Sequence, residues 1–399
     1  MNNLDVIRSF ASSCFSSISE EKTFSSYLAV LEALNQNNKW LRDEKLVGKV
    51  LTRLTIIEPK SSEECLKTLM LFQKIKSSKL ELPFLDKGSE MQELLTEMEN
   101  NSISISSTGI VCVKEPCFQE KQWDCLNKLS RCISMTQIKF SEVKDLNKLL
   151  EFSKQNSNIT LLDLGETQGI DDDYLEILST YLPSIKIFSI HSNKITTIPE
   201  TICEKLIKLD CTGCRSLTTI KVSNVIELVC INCEVLTVIY APLALMLSCM
   251  LCKVLRTIDA SNLTHLNCQD CTALQSITAP NVKKLYCMNC PSLTTIEAPN
   301  VVKIGCKNCP SLTTIDAINI KYLSCEDCSA LKKIIFYDLL QLLCDNCTAL
   351  QSITAPNVEE LYCMNCSNLT TIEAPNVVKI DCKNCPSLTT IDAINIKYL

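Results

Sequence analysis

Glycine and histidine are scarce in this chain of 399 residues, which contains seven glycines and two histidines. A phosphate-binding loop needs glycines at fixed spacing, and the sequence contains no such motif. The two histidines, His191 and His265, lack a nucleophile and a carboxylate at a spacing typical of a catalytic site. We therefore predict that the protein is not an enzyme and uses no cofactor.

Long apolar segments and basic segments are also missing. No run of about 18 apolar residues occurs, so we expect no membrane span. The net charge is -6, and no basic region favours binding to nucleic acid. Residues 1–22 lack the basic and apolar regions of a secretory signal, so the 27 cysteines are expected to be free thiols in a reducing compartment such as the cytoplasm.

What the sequence does contain is a cysteine pattern of constant period. Ten Cys-x-x-Cys pairs occur, and each first cysteine lies 19 residues after the previous one. One pair alone would indicate a zinc or redox site, whereas ten pairs in register indicate the repeated unit of a solenoid. We predict a structural role for all twenty cysteines: Cys211, Cys214, Cys230, Cys233, Cys249, Cys252, Cys268, Cys271, Cys287, Cys290, Cys306, Cys309, Cys325, Cys328, Cys344, Cys347, Cys363, Cys366, Cys382 and Cys385.

One repeat can be followed from residue 282 to residue 300. Its apolar positions are Val282, Leu285, Cys287, Cys290, Leu293, Ile296 and Ala298. The alternation around Leu285 predicts a strand, and a second extended stretch, 295–298, ends at a Pro-Asn turn. A single coil of 19 residues buries too little apolar surface to fold alone, so stability must belong to the stacked array.

This pattern, V/L-x-x-L-x-C-x-x-C-x-x-L, resembles the leucine-rich repeat in its cysteine-bearing variant. The coil at 185–205 supports the resemblance, because Asn193 stands where the family usually carries asparagine. Two longer coils begin near Met135 and at Ile159, each with a predicted convex helix. The resemblance implies that the residue at the position of Cys290 bonds to backbone in the turn after a concave strand. Repeats this short also resemble the repeat region of bacterial type III effector proteins.

The predicted fold class is α+β, with an N-terminal α-helical domain followed by a parallel-β leucine-rich-repeat solenoid. We predict three segments: a six-helix cap at 1–133, longer repeats with convex helices at 134–205, and the cysteine repeats at 206–399. Within the first, two of the helices are predicted at 90–99 and 119–133, and residues 100–117 between them are expected to form a hairpin or a loop. Eight serines among the first 26 residues resemble the secretion leader of type III effectors, which implies translocation into a host cell cytosol.

The cysteine array allows two chemical alternatives to packing. Zinc needs four ligands in a tetrahedron, usually from two pairs that face each other, whereas here every pair is predicted to point the same way into its coil. Cysteines of adjacent coils also come within disulfide range. We favour packing and turn bonding, without a metal site, and keep a metal-binding or redox array as the less favoured prediction.

An internal duplication separates the inside of the coil from its outside. Residues 271–323 recur as 347–399, and five of the 53 positions differ. None of the five is a predicted core position. The differing pairs are Lys283/Glu359, Lys284/Glu360, Pro291/Ser367, Ser292/Asn368 and Gly305/Asp381.

We predict a scaffold that binds a partner protein, such as a host protein, through the concave face of the solenoid. Apolar, methionine and tyrosine side chains without a core role mark such surfaces. The predicted contact residues are Val229, Ile231, Met246, Met250, His265, Tyr286, Met288, Lys303, Lys307, Tyr322, Tyr362 and Met364.

The principal alternative is the repeat portion of an effector-type E3 ubiquitin ligase whose catalytic domain is absent. Such ligases join a helical domain to short repeats and carry the catalytic domain after them, and nothing in this sequence matches that domain.

A further expectation concerns Ile396 and Leu399, which begin another coil without a polar cap. A bare strand edge of this kind predicts self-association through the C-terminal end.

Overall fold

The structure is a computed structural model, and it describes residues 66, 67, 69, 70, 73, 90–106, 108–117, 119–394, 396 and 397. The chain divides into two compact units, Met1–Leu162 and Asp163–Leu399. The predicted segment boundaries at 133 and 205 were set by the type of repeat, whereas these two units are defined by compactness. The predicted boundaries therefore stay predictions. Of the six predicted helices, those that end before residue 66 lie outside the described residues.

The first unit combines helices with a small sheet. Trp123 packs its ring 5.9 Å from that of Phe140 and 5.8 Å from that of Phe152, and thereby joins two helices to a strand. Asp145 caps the third helix by accepting a hydrogen bond from the backbone N–H of Lys148 at 3.0 Å. The elements are α1 (Glu90–Asn100), β1 (Ile103–Ile105), β2 (Val111–Val113), α2 (Glu120–Cys132), β3 (Gln137–Phe140) and α3 (Leu146–Gln155).

The pairing of these strands answers one question that the sequence left open. Strands β1 and β2 are antiparallel, with Ser104 opposite Cys112, so residues 100–117 form the hairpin rather than a loop. Strand β3 then pairs with β2 in parallel. The helices predicted at 90–99 and 119–133 are confirmed as α1 and α2 to within a residue at each end.

The convex helices shorten along the second unit. Strand β4 (Leu161–Asp163) spans the boundary and precedes α4 (Asp172–Tyr181), whose N-cap Asp171 accepts from the Tyr174 N–H at 2.9 Å. The next coil contains β5 (Ile187–Ser189) and the single turn α5 (Glu200–Cys203). Within the described residues no helix follows α5, so the 19-residue coils contain no convex helix.

The cysteine repeats form a parallel sheet in which each coil contributes one three-residue strand. We call it the first-row sheet, and its strands are those predicted to be concave. Register is constant, with Leu285 opposite Ile304 and Leu266 opposite Leu285. From β5 onward its strands are β6 (Lys208–Asp210), β8 (Glu227–Val229), β10 (Met246–Ser248), β12 (His265–Asn267), β14 (Lys284–Tyr286), β16 (Lys303–Gly305), β18 (Tyr322–Ser324), β20 (Gln341–Leu343), β22 (Glu360–Tyr362) and β24 (Lys379–Asp381).

A second row of strands lies on the other side of each coil and confirms the second extended stretch. It divides into three sheets rather than one. The first contains β7 (Thr219–Lys221), β9 (Val238–Tyr240) and β11 (Thr257–Asp259), and the second contains β13 (Ser276–Thr278), β15 (Thr295–Glu297) and β17 (Thr314–Asp316). The third contains β19 (Lys333–Ile335), β21 (Ser352–Thr354), β23 (Thr371–Glu373) and β25 (Thr390–Asp392).

The core lies between the two rows. All seven apolar positions of the coil at 282–300 are 0% exposed, which confirms the inward frame of the repeat. In the last coil Cys382 and Cys385 are half-buried and Ile391 is 39% exposed. Residues 395, 398 and 399 lie outside the described residues, and self-association through the C-terminal edge stays a prediction.

Candidate functional site

The turn after each first-row strand is built by the second cysteine of the pair. In the middle coils the Cys290 thiol donates to the carbonyl of Cys268 at 3.3 Å, and the Cys309 thiol donates to that of Cys287 at 3.1 Å. From Cys233 onward the acceptor is the first cysteine of the preceding coil, and for Cys214 it is Ile190, so the weak S–H bond links neighbouring coils throughout. This is the turn bonding implied by the resemblance to the leucine-rich repeat.

Burial favours the protonated thiol at several first cysteines of the pairs. Desolvation raises the pKa of Cys268 well above its ordinary value, and the same cause raises that of Cys363. None of the cysteines in the described part of the chain is in a disulfide. Among the described residues, no three His, Cys, Asp or Glu side chains are placed to hold a metal ion. In the coils before the last one, the first cysteines are packed in the core and the second cysteines are buried donors that close the turns.

A left-handed residue precedes the second cysteine in every repeat, and the sequence analysis missed it. Asn289 has φ 59° and its side-chain amide lies in a ladder, since Asn308 Nδ2 donates to Asn289 Oδ1 at 3.1 Å. Only glycine, asparagine and aspartate adopt this conformation readily. The signal was available, because these residue types occupy the position in nine of ten coils: Gly213, Asn232, Asp270, Asn289, Asn308, Asp327, Asn346, Asn365 and Asn384.

The exception is Leu251, which has φ 62° and is 36% exposed. A leucine in the left-handed region is strained by contact between its Cβ and the following carbonyl. It lies beside Met250, in a coil that also exposes Leu245 and Met246 to 41% and 46%. Strain and exposed apolar surface therefore coincide in one coil of the array.

The outward face of the first-row sheet carries every predicted contact residue. Each coil offers three outward positions: the first strand residue, the last strand residue, and the residue after the first cysteine. All twelve are exposed or half-buried. At the first position lie Met246, His265, Lys303 and Tyr322; at the second lie Val229, Tyr286 and Tyr362; at the third lie Ile231, Met250, Met288, Lys307 and Met364.

These residues fall into an apolar group and a tyrosine–lysine group. In the apolar group Val229 lies opposite Ser248 on the adjacent strand, Met246 starts that strand, and Ile231 and Met250 follow the two first cysteines. Asn267 Nδ2 lies 3.3 Å from Met250 Sδ and limits the group on one side. Leu245 also belongs to this surface, but it was not among the predicted contact residues. The sequence signal is that a leucine stands where other coils have Lys283 or Glu359.

The tyrosine–lysine group occurs twice because of the internal duplication. In the first copy Lys303 Nζ lies 6.0 Å from the ring centre of Tyr286. The ring lies against Gly305, where a Cβ would come within 3.3 Å of Tyr286 Cδ1. Gly305 is therefore buried, although it is not one of the core positions of the repeat. It is covered by a tyrosine on the outside of the sheet rather than by the core.

The two histidines do not come together into a site. His265 Nδ1 lies 3.0 Å from the Thr264 hydroxyl, which donates to the carbonyl of Leu245 at 2.9 Å. That hydroxyl is therefore hydrogen-bonded to the backbone and is not placed to act as a nucleophile. His191 is in a different coil and faces Glu166, with 3.9 Å between Nδ1 and Oε1. Neither arrangement has the nucleophile, base and carboxylate of a catalytic triad.

A shallow groove of 340 Å³ lies beside the strands of the C-terminal half. Seven residues line it: Lys321, Asp338, Leu340, Asn357, Glu359, Asn376 and Val378. Lys321 Nζ and an oxygen of Asp338 are 3.6 Å apart, so this cation is already paired. The lining mixes polar side chains with the apolar Leu340 and Val378. It is periodic because it repeats two positions of the coil, and it brings together no group of reactive side chains.

No known family model matches this chain. No curated protein matches it either. A solved structure of YopM from Yersinia enterocolitica WA-314 is similar at 11% sequence identity and a TM-score of 0.22, and the match covers 84% of this chain and 100% of that one. None of the helices in the described part of the chain is long and apolar enough to cross a membrane.

Proposed function

We propose that this protein is an interaction scaffold whose first-row sheet binds a partner protein. The observation that carries the proposal is the apolar group Val229, Ile231, Met246 and Met250, which lies on adjacent coils of the outward face. These side chains have no role in the core, since the core is filled by fully buried leucines and cysteines such as Leu228 and Cys230. Contiguous exposed apolar surface of this kind is typical of a protein interface.

The strained Leu251 supports the same surface. Asparagine would relieve the backbone strain and continue the amide ladder, yet the chain places a leucine there, next to Met250. Large apolar side chains near the centre of an interface contribute most of its binding energy. Leu251 and Leu245 therefore extend the proposed contact surface on either side of the strand at 246–248.

The test substitutes aspartate within the apolar group. The double variant Ile231→Asp with Met250→Asp is expected to abolish partner capture, because two charges would be desolvated against an apolar partner surface. Circular dichroism and melting temperature should not change, since both side chains point outward. The matched control is Ile318→Asp with Tyr337→Asp, two residues exposed to 69% and 66% away from this face. Capture that survives in the first variant and fails in the control would refute the proposal.

We also propose that the scaffold acts as an effector delivered into a host cell cytosol. The support is compositional: eight serines among residues 1–26, which resemble an uncleaved secretion leader. A reporter enzyme fused after residue 26 should be translocated by a type III secretion strain and should stay inside a strain that lacks the secretion machinery. Equal reporter signal in host cells for the two strains would contradict this part of the proposal.

A further inference from the structure

Three lysines on the first-row sheet form a cationic cluster without anionic partners. Lys284 and Lys303 are directly opposite in the register of adjacent parallel strands, and Lys307 follows four residues after Lys303. All three are exposed. Like charges directly opposite on neighbouring strands destabilise a sheet. Among the described residues, no ion pair is formed by any of the three, so the repulsion is not relieved within the chain.

The carboxylate one coil further along this face forms no ion pair with the cluster. Glu326 occupies the position of Lys307 in the next coil, and its carboxylate accepts a hydrogen bond from the Ser324 hydroxyl. On the other side, the strand residue opposite Lys284 is His265, which adds no negative charge. In a chain of net charge -6, this is a local positive surface flanked by Tyr286 and Tyr322.

The second copy of the duplication shows what the same backbone looks like when the charges are balanced. There Glu360 replaces Lys284 and lies directly opposite Lys379, an opposite-charge pair. Asp381 replaces Gly305, and Lys383 Nζ lies 3.2 Å from its carboxylate. Lys379 also lies 5.1 Å from the centre of the Tyr362 ring.

The charge difference between the copies is large and confined to this face. Lys283 and Lys284 become Glu359 and Glu360, and Gly305 becomes Asp381, so the second copy is more negative by 2 + 2 + 1 = 5 charges. The remaining two differences, at residues 291 and 292, change no charge. Folding therefore does not require the uncompensated lysines, because the same coil accepts a compensated set.

We infer that Lys284, Lys303 and Lys307, with Tyr286 between them, bind a carboxylate-rich extended segment of the partner protein. Alternate side chains of an extended chain lie roughly 7 Å apart on one side, a spacing that long lysine side chains can meet. The Tyr286 ring lies against Gly305, which has no side chain to displace it, and supplies an apolar contact 6.0 Å from the Lys303 ammonium group. The inference rests on the proposed scaffold function and assigns a second contact region to the same face.

The two copies provide a reciprocal exchange as the experiment. The probe is a short fluorescent peptide with glutamate at alternate positions, and the control probe carries glutamine instead. Binding to the full-length chain is measured by fluorescence anisotropy and its stoichiometry by calorimetry. Wild type should bind one glutamate peptide, more weakly as salt is added, and should not bind the glutamine peptide.

K284E with G305D gives the first copy the residues of the second, and it should weaken peptide binding by about tenfold or more, because a charge is reversed and the ring is displaced. Its melting temperature should stay the same or rise, since a like-charge pair becomes an ion pair. E360K with D381G makes the opposite change and should create a second binding site. Each variant introduces residues that occupy the equivalent positions four repeats away in the same chain. Neither variant is therefore expected to unfold the protein.

Several results would overturn the inference. Equal peptide affinity in wild type and K284E with G305D would place the binding elsewhere, and equal binding of the glutamine peptide would exclude charge recognition. A salt-sensitive dimer of the wild type that binds no peptide would make a second copy of the chain the occupant. The variant with Ile231→Asp and Met250→Asp should still bind the peptide, so loss of partner capture there remains a separate result about the scaffold proposal.

Discussion

At the scale of single residues, the repeat depends on a thiol that is both apolar and a weak hydrogen-bond donor. The first cysteine of each pair is buried in the core, except for the half-buried Cys382 of the last coil. From the second pair onward, the second cysteine donates to the carbonyl of the first cysteine one coil earlier, as Cys347 does to Cys325 at 3.1 Å. At the second position a leucine could fill the space but could not donate, and at the first position a serine hydroxyl would need an acceptor in a dry core.

Replacing a buried thiol by a hydroxyl should therefore be costly. Cys268→Ser is expected to lower the free energy of unfolding by about 1 to 3 kcal/mol, the penalty for a poorly satisfied buried hydroxyl. The control is Cys132→Ser, because Cys132 is exposed at the end of α2. Urea unfolding followed by circular dichroism measures both variants. Equal midpoints would contradict the buried frame of the repeat.

The left-handed position before the second cysteine gives a reciprocal prediction. Leu251→Asn should stabilise the protein by about 1 kcal/mol, because asparagine tolerates a positive φ that leucine does not. Asn289→Leu should destabilise it by about the same amount or more, since it also breaks the amide ladder to Asp270 and Asn308. Thermal melting of the two variants should move in opposite directions. A loss of stability in Leu251→Asn would mean that the leucine side chain holds the turn by packing.

At the scale of elements, much of the fold follows from the sequence because each coil repeats the same short signal. A three-residue strand gives little periodicity by itself, yet ten copies at a fixed spacing define Leu285 and its equivalents as inward positions. The left-handed turn was not predicted, although glycine, asparagine or aspartate stands at that position in nine of the ten coils. The division of the second row into three sheets had no counterpart in the sequence pattern.

The candidate site was predictable to a similar degree. Alternation along each strand placed all twelve contact residues on the outward face. The like-charge pair of Lys284 and Lys303 was not predicted, although a period of 19 residues makes the two lysines neighbours on adjacent strands. The contact between Tyr286 and Gly305 needed the three-dimensional structure, since it depends on the direction of the ring.

The link between helix α4 and the next coil gives a pH-dependent prediction. Desolvation opposes ionisation of Asp172, but hydrogen bonds from Thr196 and Thr197 outweigh it and lower the pKa of the carboxyl. A lowered folded-state pKa contributes stability above the unfolded value, about 3.9, which is lost as pH falls through the folded value. The melting temperature should therefore fall in acid more steeply in wild type than in Asp172→Asn. Asp173→Asn, which keeps Asp172, should behave like wild type; an unchanged pH profile in Asp172→Asn would contradict the link.

At the scale of the whole molecule, the inward positions of the solenoid serve stability, and the outward positions are available for the proposed recognition. Inward positions are nearly identical from coil to coil, so neighbouring coils stack in the same way throughout the array. Outward positions vary freely, and they concentrate apolar side chains near residues 229–251, unpaired lysines near 284–307 and balanced charges near 360–383. Recognition can then be changed by outward substitutions without altering the stacking that holds the array together.

The most direct test of this account is site-specific photo-crosslinking to a captured partner. A photoreactive amino acid is placed at Met250, on the outward face of the first-row sheet, and in a second protein at Thr278, which is exposed on the second row. We predict crosslinks to the partner from position 250 and none from position 278. Crosslinks from position 278 without any from position 250 would contradict the claim that the first-row sheet is the binding surface.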